Sequence, residues 1–221
     1  GWLTHGDYSS LLEDLFCQYT GAKYATTISN CTAALHLSCL AAGFSRNDEV
    51  IVPAQTHVAT AHAVEYTGAK PIFIDVHPIS GNLQIDLIRS KLSPRTKGII
   101  AVHMAGYPCE MDQIKKICYE NNLQLIEDCA HSLGTFFNNV HVGNFGKAGC
   151  FSFYPTKQIT TGEGGMVISN DKAFITKIKY LKAFGIDTPI KLRKKPGIYD
   201  VKYLGYNYRM TDFQAALGAG Q

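Results

Sequence analysis

The chain has 221 residues, of which 46% are hydrophobic and 18% charged, and its formal net charge is +3. At ~100–200 residues per domain this is more than one small domain and less than two comfortable ones, and the mix excludes a mostly disordered chain. The charge is too mild and too evenly spread to argue for nucleic acid, and no apolar stretch approaches the ~20 residues that a membrane span needs.

Along the chain, helical and strand-like runs alternate. Residues 7–20 carry Leu11, Leu12, Leu15 and Phe16 at helical spacing. Residues 24–28 are β-rich, and residues 32–42 predict a helix with Thr32 near its start and Gly43 just past its end. A short strand at 49–52 is stopped by Pro53; a helix at 57–66 is stopped at Gly68; another strand covers 71–75. Helices follow at 83–92 and 111–121, with strands at 97–102 and 123–127 around the second. Residues 149–153 and 166–169 read as short strands, 171–184 as a basic amphipathic helix, and 211–221 as a helix just starting.

This alternation predicts an α/β fold with a mainly parallel sheet covered on both faces. Ligands of such sheets bind at the carboxyl ends of the strands. That rim collects residues 29–32, 53–57, His103, 128–131 and 152–157. The basic segment at 191–197 reads as a solvated loop rather than a phosphate contact.

The seven cysteines, at 17, 31, 39, 109, 118, 129 and 150, contain no C-x-x-C. Neither a zinc ribbon nor a thioredoxin-like motif is supported, and no metal site is expected. The odd number and the lack of a signal-peptide-like run fit reduced thiols and a cytoplasmic location. The chain opens without methionine and closes at Gln221 inside a helix-like run, so it is expected to be an excerpt of a longer protein.

Three rim segments could carry chemistry. Ile28-Ser-Asn-Cys-Thr32 is a strand–turn–helix junction; a plain N-cap is the commoner use, but helix N-termini also bind phosphate. Neither G-x-G-x-x-G nor G-x-x-x-x-G-K-[ST] is present there, which disfavours a nicotinamide-dependent enzyme. Leu123-Gln-Leu-Ile-Glu-Asp128 ends in two carboxylates whose side chains alternate, so Glu127 and Asp128 face opposite ways and make a poor glycosidase pair. Lys157 lies just past an aromatic strand and before a glycine-rich turn, where desolvation favours a nucleophilic amine. A phosphate seat, an acid, a lysine and a ring-stacking candidate, His57, form the set that pyridoxal 5'-phosphate requires.

Read together, these segments resemble the DegT/DnrJ/EryC1/StrS family of sugar aminotransferases. The resemblance is carried, in order, by Trp2-Leu-Thr-His-Gly6, Asn30-Cys-Thr-Ala-Ala-Leu-His36, Asp48-Glu-Val-Ile-Val-Pro53, Thr56-His-Val-Ala-Thr60 and Gly68-Ala-Lys-Pro-Ile-Phe-Ile-Asp75. Glu127-Asp-Cys-Ala-His131, Ser152-Phe-Tyr-Pro-Thr-Lys157, Gly162-Glu-Gly-Gly165 and Gly205-Tyr-Asn-Tyr-Arg-Met210 continue it. The lysine segment with its Gly-Glu-Gly-Gly turn is the most specific piece.

The resemblance implies a fold type I transferase. Residues 1–221 would be its cofactor-binding large domain, with N-terminal residues and a small C-terminal domain missing. It implies that Lys157 links to the cofactor aldehyde and moves protons, and that Asp128 pairs with the pyridine nitrogen. His57 would stack on the ring and His131 would lie near the ring hydroxyl. Cys31, Thr32 and Ser152 would hold the phosphate. Asn207 would reach the phosphate of a neighbouring subunit, making a homodimer with shared sites. The implied reaction transfers an amino group, from glutamate, to a nucleotide-linked keto sugar. Cys31 stands where the family usually has glycine. Some relatives are sugar dehydratases with histidine in place of the lysine; Lys157 favours transamination. Another fold type I enzyme and a non-catalytic regulatory relative are the alternatives.

Overall fold

The computed structural model describes residues 3–4, 6–187, 195 and 197–221. Residues 2 and 5 of the predicted opening segment, and all of the basic loop at 191–197 except 195 and 197, lie outside the described residues. Helices α1 (Asp7–Thr20), α2 (Cys31–Ala42), α3 (Val58–Glu65), α4 (Ile85–Lys91), α5 (Met111–Glu120) and α6 (Lys172–Leu181) alternate with strands, and α7 (Asp212–Ala219) closes the chain. The strands are β1 (Tyr24–Ile28), β2 (Glu49–Pro53), β3 (Lys70–Ile74), β4 (Thr96–Val102), β5 (Gln124–Asp128), β6 (Phe136–Phe137), β7 (Val140–His141), β8 (Ala148–Ser152) and β9 (Gly165–Ser169).

Seven strands form one sheet in the order β1-β9-β8-β5-β4-β2-β3. Six of them run parallel, and β9 is antiparallel to both its neighbours. The mainly parallel sheet flanked by helices is thus as predicted. Alternate residues serve opposite faces. Ile126, Cys150 and Val167 pack with Leu35, Val64 and Ile178 from the helices of one face. On the other face Leu125 and Ile99 meet Ile88 and Ile114, while Phe151 and Met166 meet Leu12, Phe16 and Ala215. Strands buried on both sides need continuous apolar runs, and β2 and β9 are buried at every position.

Element boundaries differ in small ways with local causes. Pro53 does not stop β2 but is its last residue, opposite Ile74 in the parallel ladder; a proline at a strand end loses no bond when its nitrogen points away from the ladder. The second helix begins at Cys31, one residue before the predicted start at Thr32, because Asn30 caps it. The sixth ends at Leu181 rather than Phe184, whose φ of 62° is left-handed. No helix among the described residues is long and apolar enough to cross a membrane.

Candidate active site

Parallel strands put their carboxyl ends on one rim, and Ile28, Val102, Asp128 and Ser152 end β1, β4, β5 and β8 there. In the ladder Asp128 lies opposite Val102 on one side and Cys150 on the other. Above the rim opens a cavity of about 990 Å³. Cys31, Thr32, His57, Asp128, His131, Ser152 and Lys157 all line it. The structure thus gathers every predicted site residue except Asn207, which is exposed and whose Oδ1 accepts from Arg209 Nε at 2.9 Å.

At the β1–α2 junction, Asn30 is extended and its Oδ1 accepts from the Ala33 N–H at 2.8 Å. That satisfies the third N–H of the helix and, among the described residues, leaves the N–H groups of Cys31 and Thr32 without partners. These two donors and the positive end of the helix dipole suit an anion. Burial, and then the Asp128 charge, push the Cys31 thiol well up, so its sulfur is neutral and does not repel one. Gly165 pairs with Ser152 in the β8–β9 register. A Cβ on Gly165 would lie 2.8 Å from the Asn30 carbonyl carbon and 2.9 Å from the Cys31 nitrogen. The bare glycine therefore lets β9 press against the helix start and brings Ser152 beside it.

At the end of β5, side-chain alternation sends the two acids apart. Asp128 Oδ2 accepts from Thr60 Oγ1 at 2.9 Å and Oδ1 from the Ala130 N–H at 3.1 Å. Its remaining lone pairs face the cavity. Glu127 goes to the opposite face, where Oε1 accepts from the N–H groups of Phe145 and Gly146 at 2.8 and 2.7 Å. Its Oε2 accepts from the Gly143 N–H at 2.7 Å and lies 3.2 Å from His103 Nε2. His103 Nδ1 accepts from the Cys109 N–H at 3.1 Å, so the ring carries its proton on Nε2 and donates it to Glu127. His103, Glu127 and Cys129 bring ligand atoms within 4.8 Å of one another. The carboxylate and both imidazole nitrogens are already engaged, and the trio is a brace.

Lys157 is held on a folded-back loop. Its N–H bonds the Tyr154 carbonyl at 2.9 Å, and the Phe153 N–H bonds the Gly164 carbonyl at 2.9 Å. Gly162, at φ +75°, turns this loop. Gln158 Nε2 donates to the His131 carbonyl at 2.7 Å, tying the lysine loop to the loop after β5. Burial, reinforced by the Lys157 charge, lowers the His131 imidazole from its ordinary value, so it is neutral at neutral pH. His57 caps α3, its Nδ1 accepting from the Ala59 N–H at 3.2 Å, which leaves the proton on Nε2. The helix predicted at 57–66 thus starts one residue later, with His57 as its extended cap.

Sequence reasoning missed three contributors: Thr60, the close approach of Gly165, and the bracing role of Glu127. Thr60 lies one helical turn from Thr56, but nothing in the sequence ties either to residue 128. Gly165 was legible as part of a glycine-rich turn, though not the backbone that it meets.

The donor set fits pyridoxal phosphate: two free helix N–H groups for an anion, a carboxylate for a ring N–H, and a primary amine within one cavity. Residues 1–221 match the DegT/DnrJ/EryC1/StrS aminotransferase family. A GDP-perosamine synthase of Escherichia coli O157:H7 is 42% identical over 221 residues, covering 100% of this chain and 59% of that protein. The solved aminotransferase from Psychrobacter cryohalolentis superposes with a TM-score of 0.92 at 37% identity, over 96% of this chain and 55% of that one. Helicobacter pylori PseC, an aminotransferase involved in the biosynthesis of pseudoaminic acid, does so with a TM-score of 0.91 at 33% identity, over 100% and 58%. The chain spans between 55% and 59% of the length of these relatives. The rim chemistry, the fold and the match over residues 1–221 agree: this chain belongs to the DegT/DnrJ/EryC1/StrS aminotransferase family.

Proposed function

We propose that this protein is a pyridoxal phosphate-dependent aminotransferase that moves an amino group from glutamate onto a nucleotide-linked keto sugar. The observation that carries the reading is the convergence of Lys157, Asp128 and the unpaired N–H groups of Cys31 and Thr32 on one cavity. The nucleotide sugar follows from relatives such as GDP-perosamine synthase. Residues 1–221 serve as the cofactor-binding large domain, completed by a small C-terminal domain, and the protein works in the cytoplasm.

Pyridoxal phosphate, when bound, supplies an aldehyde that takes up amines and a ring that draws electrons from the neighbouring carbon. The chain's residues do the rest. Cys31 and Thr32 N–H groups, with the Thr32 and Ser152 hydroxyls, hold the phosphate. The Asp128 carboxylate accepts the ring N–H and keeps the proton there. His57 would lie against the ring, and neutral His131 would donate to its hydroxyl. The Lys157 amine, which lines the cavity, would hold the cofactor. Its Nζ would also move the proton from the donor's α-carbon to the cofactor side. The same transfers run in reverse for the keto sugar, giving ping-pong kinetics. Asn207 acts across a homodimer interface on the partner's phosphate, consistent with its exposure outside its own cavity.

The test uses the purified full-length protein. Incubation with pyridoxal phosphate gives a visible absorption band that borohydride fixes onto Lys157, detected by peptide mass spectrometry. With glutamate and a panel of GDP- and TDP-linked keto sugars, one amino sugar and an equal amount of 2-oxoglutarate appear. No cofactor uptake, or unchanged turnover in Lys157→Ala, overturns the proposal.

A further inference from the structure

The Asp128 carboxylate is not held by its own strand alone. One oxygen is fixed by the Ala130 N–H two residues on, and the other by the Thr60 hydroxyl of α3, 68 positions away in sequence, at 2.9 Å. Thr60 is fully buried. A hydroxyl has one proton to give, and that of Thr60 goes to Asp128. The contact of 3.0 Å between Thr60 Oγ1 and Thr56 Oγ1 is then a bond that Thr56 donates. Thr56 itself lines the cavity. The result is a directed chain, Thr56 to Thr60 to Asp128, running from the cavity wall to the acid.

We propose that Thr60 is a positioning residue for Asp128: it fixes the carboxylate plane so that a lone pair points at the cofactor's ring nitrogen, and Thr56 orients Thr60 in turn. This rests on the cofactor reading above. With a donor on each oxygen the carboxylate cannot swing about its χ2 bond, and both bonds are of the stronger, charge-assisted kind. Without Thr60 the acid keeps its place at the end of β5 but loses the bond that sets its angle, and a ring N–H is recognised only along a narrow direction.

The experiment compares full-length wild type with Thr60→Val, Thr60→Ser and Thr56→Ala. Valine keeps the shape and removes the proton; serine restores the proton. In equilibrium dialysis Thr60→Val binds pyridoxal phosphate roughly tenfold more weakly, the scale of one hydrogen bond to a charged group. Its kcat falls by a similar factor while KM for the keto sugar holds. Thr60→Ser regains most of both, and Thr56→Ala loses only about threefold. Cofactor-free Thr60→Val melts a few degrees lower, because a buried bond to the acid is lost; a merely structural threonine would show that loss alone, with cofactor affinity and kcat of the folded variant unchanged. Wild-type affinity in Thr60→Val, or equal losses in Thr60→Ser, overturns the inference while cofactor uptake by wild type leaves the functional reading standing. If wild type itself takes up no cofactor, both fall.

Discussion

Glu127 and Asp128 are adjacent on β5 and almost equally buried, at 0% and 5% exposure, yet their surroundings differ. Glu127 is saturated: three backbone N–H groups of the loop at 143–146 and the His103 imidazole take up both oxygens. Asp128 receives two donors and keeps lone pairs facing a large cavity. A buried charge is tolerated only when its hydrogen-bonding capacity is met. Glu127 meets it within the protein and fastens a loop to the sheet. Asp128 leaves part of it to a ligand. Burial alone therefore does not mark a functional acid; unfilled capacity directed at a cavity does.

Substitutions can break this contrast. The largest effect is expected at Lys157, where alanine removes the amine that serves the same cavity as Asp128; single-turnover amine transfer should fall about 10³-fold or more, with urea stability unchanged. Glu127→Gln should cost about 3 kcal/mol in urea unfolding. Both oxygens accept backbone N–H bonds, so the amide NH2 meets a donor whichever way it turns. Cofactor binding should survive wherever the variant is folded. Asp128→Asn should do the reverse, with turnover down about 10²-fold and little change in the urea midpoint. If the two variants behave alike, the division of labour between the acids is wrong.

Gly165→Ala sharpens the anion side of the comparison. The added methyl meets backbone on two sides and should destabilise by about 2 kcal/mol, with weaker phosphate binding measurable by competition with inorganic phosphate. The smallest effect is expected far from the cavity. Glu13 is driven up by burial, but the Lys182 and Lys179 charges and the Thr27 N–H outweigh this and hold it below its ordinary 4.5. A carboxylate whose folded value is lowered contributes stability above its unfolded value and loses it as pH falls through the folded one. Acid melting curves of Glu13→Gln should lack that component below about pH 4.5.

Much of this was legible beforehand. Helix and strand order was readable because buried parallel strands and amphipathic helices leave different apolar periods. The rim residues Lys157, Asp128, Cys31, Thr32 and Ser152 could be grouped because parallel topology sends strand ends to one side. The second helix reads one residue short from the sequence because Cys31 carries no start signal of its own and only the Asn30 cap bond shows where the helix begins. Pro53 reads as a stop in the sequence because its missing N–H looks fatal until the ladder side is known.

The sequence by itself determined the alternation of elements, the parallel sheet, and which strand ends could carry an acid, an amine and an anion seat. Those are local properties: spacing, caps and turns act over a few residues. Only the tertiary structure decided that Glu127 is a brace and Asp128 the cavity's acid, that Thr60 reaches Asp128 across 68 positions, and that Gly165 must be bare to meet Asn30 and Cys31. Hydrogen bonds between distant residues leave no periodic trace, because their partners are fixed by how helices dock on the sheet and not by the chain near them.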